Sequence, residues 1–341
     1  MLKRVSPVSE DGAMVRIADA KAPAPFVSGL SELEAVLGGD EKLIEDAVRA
    51  AKELSPRFIA LAGTPIPMIT GCDLAAIARE IESRSGIPSF FVPSNGIDSY
   101  VSGAGQALRL YAERFVLPAQ EKKKNAVNIL GATPLDFSAN GQVQSIARRL
   151  TEGGFSVQSV WAMGSEIAAI DRAGEAEVNL VVSSVGLPAA EFLRERFGMP
   201  YVVGALLGDT VSALLLGALQ KSIRTGENEI LPAGTPDAPD TVILGESVTS
   251  RSLAAALLLD YGLCAEVICP VELPRELEGS FCRQIEDEQD LQVALSGARR
   301  VIADPLYRPI VPQGSQFFPL PHEAYSGRIY RKQIPNLVTT W

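Results

Sequence analysis

Short apolar runs alternate with longer amphipathic stretches along most of this chain. Phe58–Ala62, Ser89–Val92, Ala126–Leu130, Ser156–Trp161, Val178–Val182, Thr241–Leu244, Ala265–Cys269 and Arg300–Ala303 are rich in apolar residues, and most stop at Gly, Pro or Ser. Such runs, without strict alternation, predict strands covered on both faces. Met199–Tyr201 begins one more. Between the runs, helical spacing takes over: Val143, Ile146, Ala147 and Leu150 fall on one face of a helix over 140–153. Further helices are expected over 40–54, from Asp73, over 102–115, 165–173 and 189–197, and from Ser250. Gly198 sits where a helix ends with a left-handed glycine. Strand–helix alternation of this kind predicts an α/β chain with parallel sheets. The expected organisation is an arm (1–25), then three α/β units over 26–120, 121–235 and 236–341. Arg300–Ala303 is expected to be the last strand, before a proline-rich tail.

Composition narrows the function more than the fold. The chain has 341 residues and a formal net charge of −10. That is the wrong sign for a nucleic-acid partner, which needs a basic face. No apolar core of a signal peptide stands in Met1–Gly12. The longest apolar runs, 205–219 and 253–259, are too short to span a bilayer. A cytoplasmic location is therefore expected. The four cysteines are expected to be free or ligating. The run Glu121–Lys124 reads as a solvated linker.

One ordered set of residues carries more. Ser28, Glu32, Gly38, Gly39, Lys42 and Leu43 precede the run 58–62; Thr64-Pro65 follows it, then Ile69, Gly71, Asp73 and Leu74. Downstream stand the segments 153–170, 178–184 and 192–201, and finally His322, Tyr325, Ser326 and Gly327. In order and spacing this resembles the component 1 subunits of nitrogenase and their relatives, the dark-operative protochlorophyllide reductase and the reductive cyclase of nickel-tetrapyrrole synthesis. The resemblance implies three Rossmann-like domains around a central cleft. It implies an oxidoreductase subunit fed by an ATP-dependent iron–sulfur reductase, and pairing as a homodimer or with a component 1-like paralogue.

The same resemblance locates a site and its departures. The family's cluster cysteine falls on Thr64, with Cys72 nearby at a helix start, where a thiolate is favoured. The cofactor cysteine falls on Ser183 or Ser184, and hydroxyls are poor iron ligands beside thiolate. The family's histidine corresponds to His322, the only histidine, one residue out of register with Tyr325 and Ser326. Ser94, Asn95 and Gly96 occupy a family loop. Glycines 96, 103 and 105 suit either close approach of a ligand or a tight strand-to-helix turn. The expected cofactor-binding residues are thus Thr64, Cys72, Ser94, Asn95, Gly96, Ser183, Ser184, His322, Tyr325 and Ser326, with Cys72 and His322 as candidate metal ligands. An iron–sulfur cluster is one expectation. The alternative is a carrier or scaffold for a metal cofactor or tetrapyrrole precursor, with no cluster held by this chain alone.

Other chemistries find little footing. Cys264, Cys269 and Cys282 show no Cys-x-x-Cys pair. No Gly-x-Ser-x-Gly elbow and no phosphate-binding loop are present. The segment Gly245–Thr249 before a helix offers free N–H groups that an anion or a plain cap could take.

Overall fold

The computed structural model describes residues 3–4, 26–27, 39–65, 71–232 and 239–340. Most of the expected arm, the polar turn before Gly39, and Ile69 lie outside these residues. Lys3–Arg4 (β1) pairs antiparallel with Phe26–Val27 (β2).

The first unit is small. Helix α1 (Asp40–Leu54) leads to β3 (Ile59–Ala62), α2 (Leu74–Ser85), β4 (Ser89–Val92) and α3 (Tyr100–Phe115). β3 and β4 pair in parallel. Asp73 caps α2 through its side chain, and Ser99 caps α3, each satisfying an N–H that the first helical turn leaves open. α3 starts two residues earlier than the apolar pattern predicts because the cap is Ser99.

The second unit contains β5 (Ala126–Leu130), α4 (Pro134–Phe137), α5 (Gln142–Glu152), β6 (Ser156–Val160), α6 (Ile167–Asp171), β7 (Val178–Val181), α7 (Leu187–Phe197), β8 (Tyr201–Val203), α8 (Gly208–Thr225) and β9 (Glu229–Ile230). Its five strands are all parallel, in the order β6-β5-β7-β8-β9. β5 and β7 are buried throughout, which explains why they read as unbroken apolar runs. Each carries one Asn in register, Asn128 opposite Asn179. Asn128 donates to Asn179 Oδ1 at 2.9 Å and accepts from Ser159 Oγ at 2.7 Å, so this buried polar pair is hydrogen-bonded. The basic run before β5 is not purely solvated: Lys122 Nζ donates to Gly174 O at 2.8 Å, and Lys123 pairs with Glu175.

The third unit contains β10 (Thr241–Leu244), α9 (Ser247–Tyr261), β11 (Ala265–Cys269), β12 (Cys282–Gln284), α10 (Glu288–Leu295), β13 (Arg300–Ala303), β14 (Gln316–Pro319) and α11 (Glu323–Ser326). Its order is β12-β11-β10-β13-β14, again all parallel. The expectation that β13 is the last strand fails. β14 follows inside the proline-rich tail, and ends on a proline that an edge strand tolerates. β9 and β12 were also hidden, being short and polar.

Both five-stranded sheets have a topological switch point, where the chain reverses its direction of winding. In the second sheet it lies between β5 and β7, in the third between β10 and β13. Open α/β sheets bind ligands outside the carboxyl ends of the strands at such points. The backbones are close there. Gly131 has φ +86, and a Cβ on it would meet Gly186 N at 2.8 Å. A Cβ on Gly186 would meet Leu130 C at 2.6 Å. Neither position accepts a side chain without moving a strand end.

Leu180, in the middle of β7, is fully buried in the second sheet's core. Leu180→Ala should lower unfolding free energy by about 2–5 kcal/mol, the usual cost of such a cavity. Urea unfolding checks this; a loss under about 1 kcal/mol would mean that this sheet is not close-packed there.

Candidate functional site

The residues that follow the switch-point strands converge. After β5, Thr133 caps α4 and Asp136 lies in its first turn. The Asp136 side chain is fully buried. Its Oδ1 accepts from the Tyr100 hydroxyl at 2.5 Å and lies 3.4 Å from His322 Nε2. Its Oδ2 accepts from Thr133 Oγ1 at 2.7 Å and from Ser183 Oγ at 2.8 Å. Tyr100 comes from the start of α3, Ser183 from the end of β7 and His322 from the tail after β14. His322 Nδ1 accepts from Ala324 N at 3.3 Å, which leaves Nε2 as the ring nitrogen on the Asp136 side.

The third sheet closes the cluster with two more carboxylates. Asp304, after β13, accepts from His322 N and Ser326 Oγ, each at 2.7 Å, and so fixes the loop that carries the imidazole. Glu246, after β10, caps α9 by accepting from Val248 N at 3.0 Å and Thr249 N at 2.9 Å. It also accepts from Ser184 N at 2.8 Å, which ties the second sheet to the third. The helix N-terminus that was free to hold an anion is therefore taken by the chain's own carboxylate. Burial and nearby Asp136 push the Glu246 carboxyl up, against the pull of its three backbone donors. Burial and Asp136 hold the Tyr100 phenol well above its usual range. Burial and Tyr307 do the same for Tyr325, whose ring centroid lies 4.8 Å from that of His322.

Two hydroxyls in this cluster, Tyr325 Oη and Ser184 Oγ, are buried and make no hydrogen bond among the described residues. An unpartnered buried hydroxyl is costly unless water or a ligand meets it. Ser184 borders a cavity of about 290 Å³ between the units, walled by Val101 and Ser102 of α3, Leu187 and Glu191 of α7, and Glu272 and Glu276 after β11. Glu272 accepts from Ser99 N at 2.8 Å and also from Ser99 Oγ, so this wall is pinned to the start of α3. A larger groove of about 770 Å³ lies at the β12–α10 edge and shares none of these residues.

Of the residues expected at a site, Ser183, Ser184, His322, Tyr325 and Ser326 are gathered here. Thr64, Cys72, Ser94, Asn95 and Gly96 belong to the first unit. Ser94 Oγ donates to Gly63 O at 3.1 Å, and a Cβ on Gly96, at φ +72, would meet Pro65 Cδ at 2.7 Å. Those glycine-bearing loops therefore pack on each other, which is the tight-turn alternative. Asn95 Oδ1 accepts from Ile97 N and Asp98 N at 2.8 and 2.9 Å, spending itself on its own turn. Cys72 does not have the thiolate expected at a helix start. Partial burial, then the hydrogen bond to Asp40, push its thiol up to about 11.

These donors do not fit an iron–sulfur cluster or a metal cofactor. Thr64, Ser183 and Ser184 offer hydroxyls, burial and Asp40 push the Cys72 thiol up, and His322 Nε2 lies 3.4 Å from a carboxylate. Among the described residues no group of three or more His, Cys, Asp or Glu is arranged to hold a metal ion. No helix among them is long and apolar enough to cross a membrane.

Comparison with known proteins gives this geometry a lineage. A family model described as nitrogenase component 1 type oxidoreductase matches residues 12–243. The chain belongs to this family. It is similar to a subunit of the light-independent protochlorophyllide reductase of Synechococcus elongatus, 26% identical over 289 residues, 78% of this chain and 57% of that protein. It is also similar to the nitrogenase iron-molybdenum cofactor biosynthesis protein NifE of Clostridium pasteurianum, 25% identical over 198 residues, 56% of this chain and 42% of that one. The matches thus span little more than half the length of these component 1 relatives at most. A solved structure, nitrogenase Cp1 at pH 5, shares the fold with a TM-score of 0.64 at 16% identity, covering 92% of this chain and 77% of its own.

Tyr100, Asp136, Glu246 and Asp304 do not stand out in the sequence. Each has a local signal, Thr133-x-x-Asp136 being a capping-box pattern, but none reveals the convergence.

Asp136→Ala would strand three buried hydroxyl donors, so it should cost about 3–5 kcal/mol in urea unfolding, against about 1 kcal/mol for Tyr100→Phe. Equal losses would mean that the carboxylate is not the shared acceptor. Separately, alkylation of Cys72 by iodoacetamide, followed by mass spectrometry, should rise with pH toward a midpoint near 11. Asp40→Asn should move that midpoint down; an unchanged midpoint would remove Asp40 as a cause.

Proposed function

We propose that this chain is the acceptor-binding subunit of a component 1-type reductase, in which Tyr100, Asp136 and His322 supply protons to a small molecule bound against the exposed side of His322, where α3, α4 and the tail after β14 meet. What carries the reading is one carboxylate oxygen, Asp136 Oδ1, facing both the Tyr100 hydroxyl and His322 Nε2. The imidazole is 15% exposed while the Asp136 side chain is fully buried. A proton arriving at His322 from solvent is one hop from Asp136, and Asp136 is one hop from the phenol. A two-electron reduction consumes two electrons and two protons, and yields the acceptor with two hydrogens added. Here the electrons come from outside the chain, from an ATP-dependent iron–sulfur reductase working with a component 1-like partner. The relative named for protochlorophyllide reduction offers a macrocycle as one acceptor.

A second reading has its own support. Ser183, one of the two serines that the resemblance sets at the family's cysteine, donates to Asp136, and His322, one residue out of register with the family's histidine, lies beside it, as befits a carrier that binds a precursor without reducing it.

Turnover separates the two. The chain, a component 1-like partner and the reductase with ATP would be supplied with a small-molecule extract of cells, and products two hydrogens heavier sought by mass spectrometry. Tyr100→Phe should lower product formation by about 10²–10⁴-fold, the range of a lost general acid, with folding retained. Bound metabolite without product would favour the carrier. An unchanged rate in both Tyr100→Phe and Asp136→Asn would end the proton-supply reading.

A further inference from the structure

We propose that Cys269 and Cys282 form a reversible dithiol–disulfide site, in which Cys282 is the attacking sulfur and a low-molecular-weight disulfide is the oxidant. This goes beyond the proposed reading of the junction and does not depend on it. Cys269 ends β11, and Cys282 begins its parallel neighbour β12. Val267 stands opposite Cys282, and Cys269 opposite Gln284. The two cysteines are thus offset by two residues, which puts both side chains on one face of the sheet. Their sulfurs are 3.9 Å apart, and both residues are fully buried. Two thiols are in contact here, and neither is tied into a disulfide. A disulfide bond is about 2.05 Å long, so side-chain rotation and a shift of one strand must bring the sulfurs together. β12 can supply the shift: it has three residues, lies at the sheet edge and has one strand neighbour.

The surroundings make the two thiols unequal. The turn before β12, Glu278 to Ser280, is exposed, so fraying of this edge uncovers Cys282 before Cys269, which lies on an inner strand. Local openings of that kind cost less than global unfolding. The hydrogen bond from Cys269, then the Arg251 guanidinium, hold the Cys282 thiol below its ordinary range, against burial and Glu246. The same hydrogen bond and burial push the Cys269 thiol up. Thiolate is the form that attacks a disulfide. Cys282 attacks one sulfur of the oxidant, whose S–S bond breaks; one small thiol leaves, and the other half stays on Cys282. Cys269 then gives up its proton, attacks the Cys282 sulfur and expels the second small thiol. The two protein thiols lose two electrons and two protons, and the small disulfide becomes two small thiols. The new bond closes the loop 270–281. That loop carries Glu272, which holds the start of α3 through Ser99, and Leu277, whose carbonyl accepts from Arg251 at 2.9 Å. Oxidation therefore staples the segment that holds α3.

The test uses the full chain, incubated folded with glutathione disulfide, quenched in acid and treated with N-ethylmaleimide. Digestion with trypsin and a glutamate-specific protease cuts out Val267–Glu272 and Gly279–Arg283. Mass spectrometry should find these two peptides joined, two hydrogens lighter than their sum, and dithiothreitol should separate them. Cys269→Ala should trap glutathione on Cys282, at least about tenfold faster than Cys282→Ala traps it on Cys269. If either variant fails to fold, the peptide map of the unaltered chain still decides. Peptides that stay separate, or that join only after unfolding in urea, would overturn the proposal. So would each cysteine capped by glutathione instead of joined, faster capture at Cys269 than at Cys282, or copper or zinc bound at the pair and blocking its oxidation. No electron donor or acceptor of the proposed reaction enters this experiment, so its failure leaves the proton-supply reading standing, and a failure of turnover leaves the dithiol site standing.

Discussion

A buried carboxylate has to be met on all sides, and Asp136 is met from four parts of the chain. Tyr100 belongs to α3, Thr133 precedes α4, Ser183 follows β7 and His322 follows β14. Removing any one contact would leave the carboxylate short of partners in a low-dielectric place, where that is expensive. One side chain thus joins segments that lie far apart in the sequence. Glu246 repeats the arrangement one strand away: a cap for α9 that also takes the backbone N–H of Ser184. Apolar packing holds each sheet together, but it is weakly directional. The hydrogen bonds at Asp136 and Glu246 set which strand end faces which.

The sheets were largely legible in the sequence because parallel strands covered on both faces leave unbroken apolar runs. β5 and β7 are the clear cases. What escaped were elements without that signature. β9 has two residues, β12 is mostly polar and exposed, and β14 sits among prolines at an edge. The site was half legible for a related reason. Ser183, Ser184 and His322 could be placed by likeness to a family, since each follows a recognisable strand or motif. Asp136 and Glu246 could not, because each already has a sufficient local explanation as a helix-capping residue. A cap explains one or two acceptor sites of a carboxylate, and it was the remaining sites, filled from other units, that made the cluster.

The departures from the family's ligands form a consistent chemical pattern. By the resemblance a hydroxyl stands for the family's thiolate at Ser183 or Ser184, and that of Ser183 donates to Asp136. The imidazole of His322 lies 3.4 Å from the same carboxylate. A thiolate there would repel Asp136, and a metal would compete for it. Either the carboxylate or the cluster can be stable at this spot, and the residues present favour the carboxylate. The first unit is consistent with this, since burial, then Asp40 and Asp73, raise the Cys72 thiol rather than releasing its proton.

Under the proposed reading, electrons arriving at such a place would meet an acidic environment. Asp136, Glu246, Glu191, Glu272 and Glu276 surround the junction and its cavity. Arg251, on α9, spends its guanidinium on the backbone carbonyls of Leu231 and Leu277. Adding an electron to a neutral acceptor there would be opposed by each of these carboxylates that is ionised. The opposition disappears if each electron comes with a proton, or if the acceptor already carries positive charge. Under the proposed reading, a proton passed in through His322 answers this electrostatic constraint, because a site built of carboxylates can host a reduction only when positive charge accompanies the electrons.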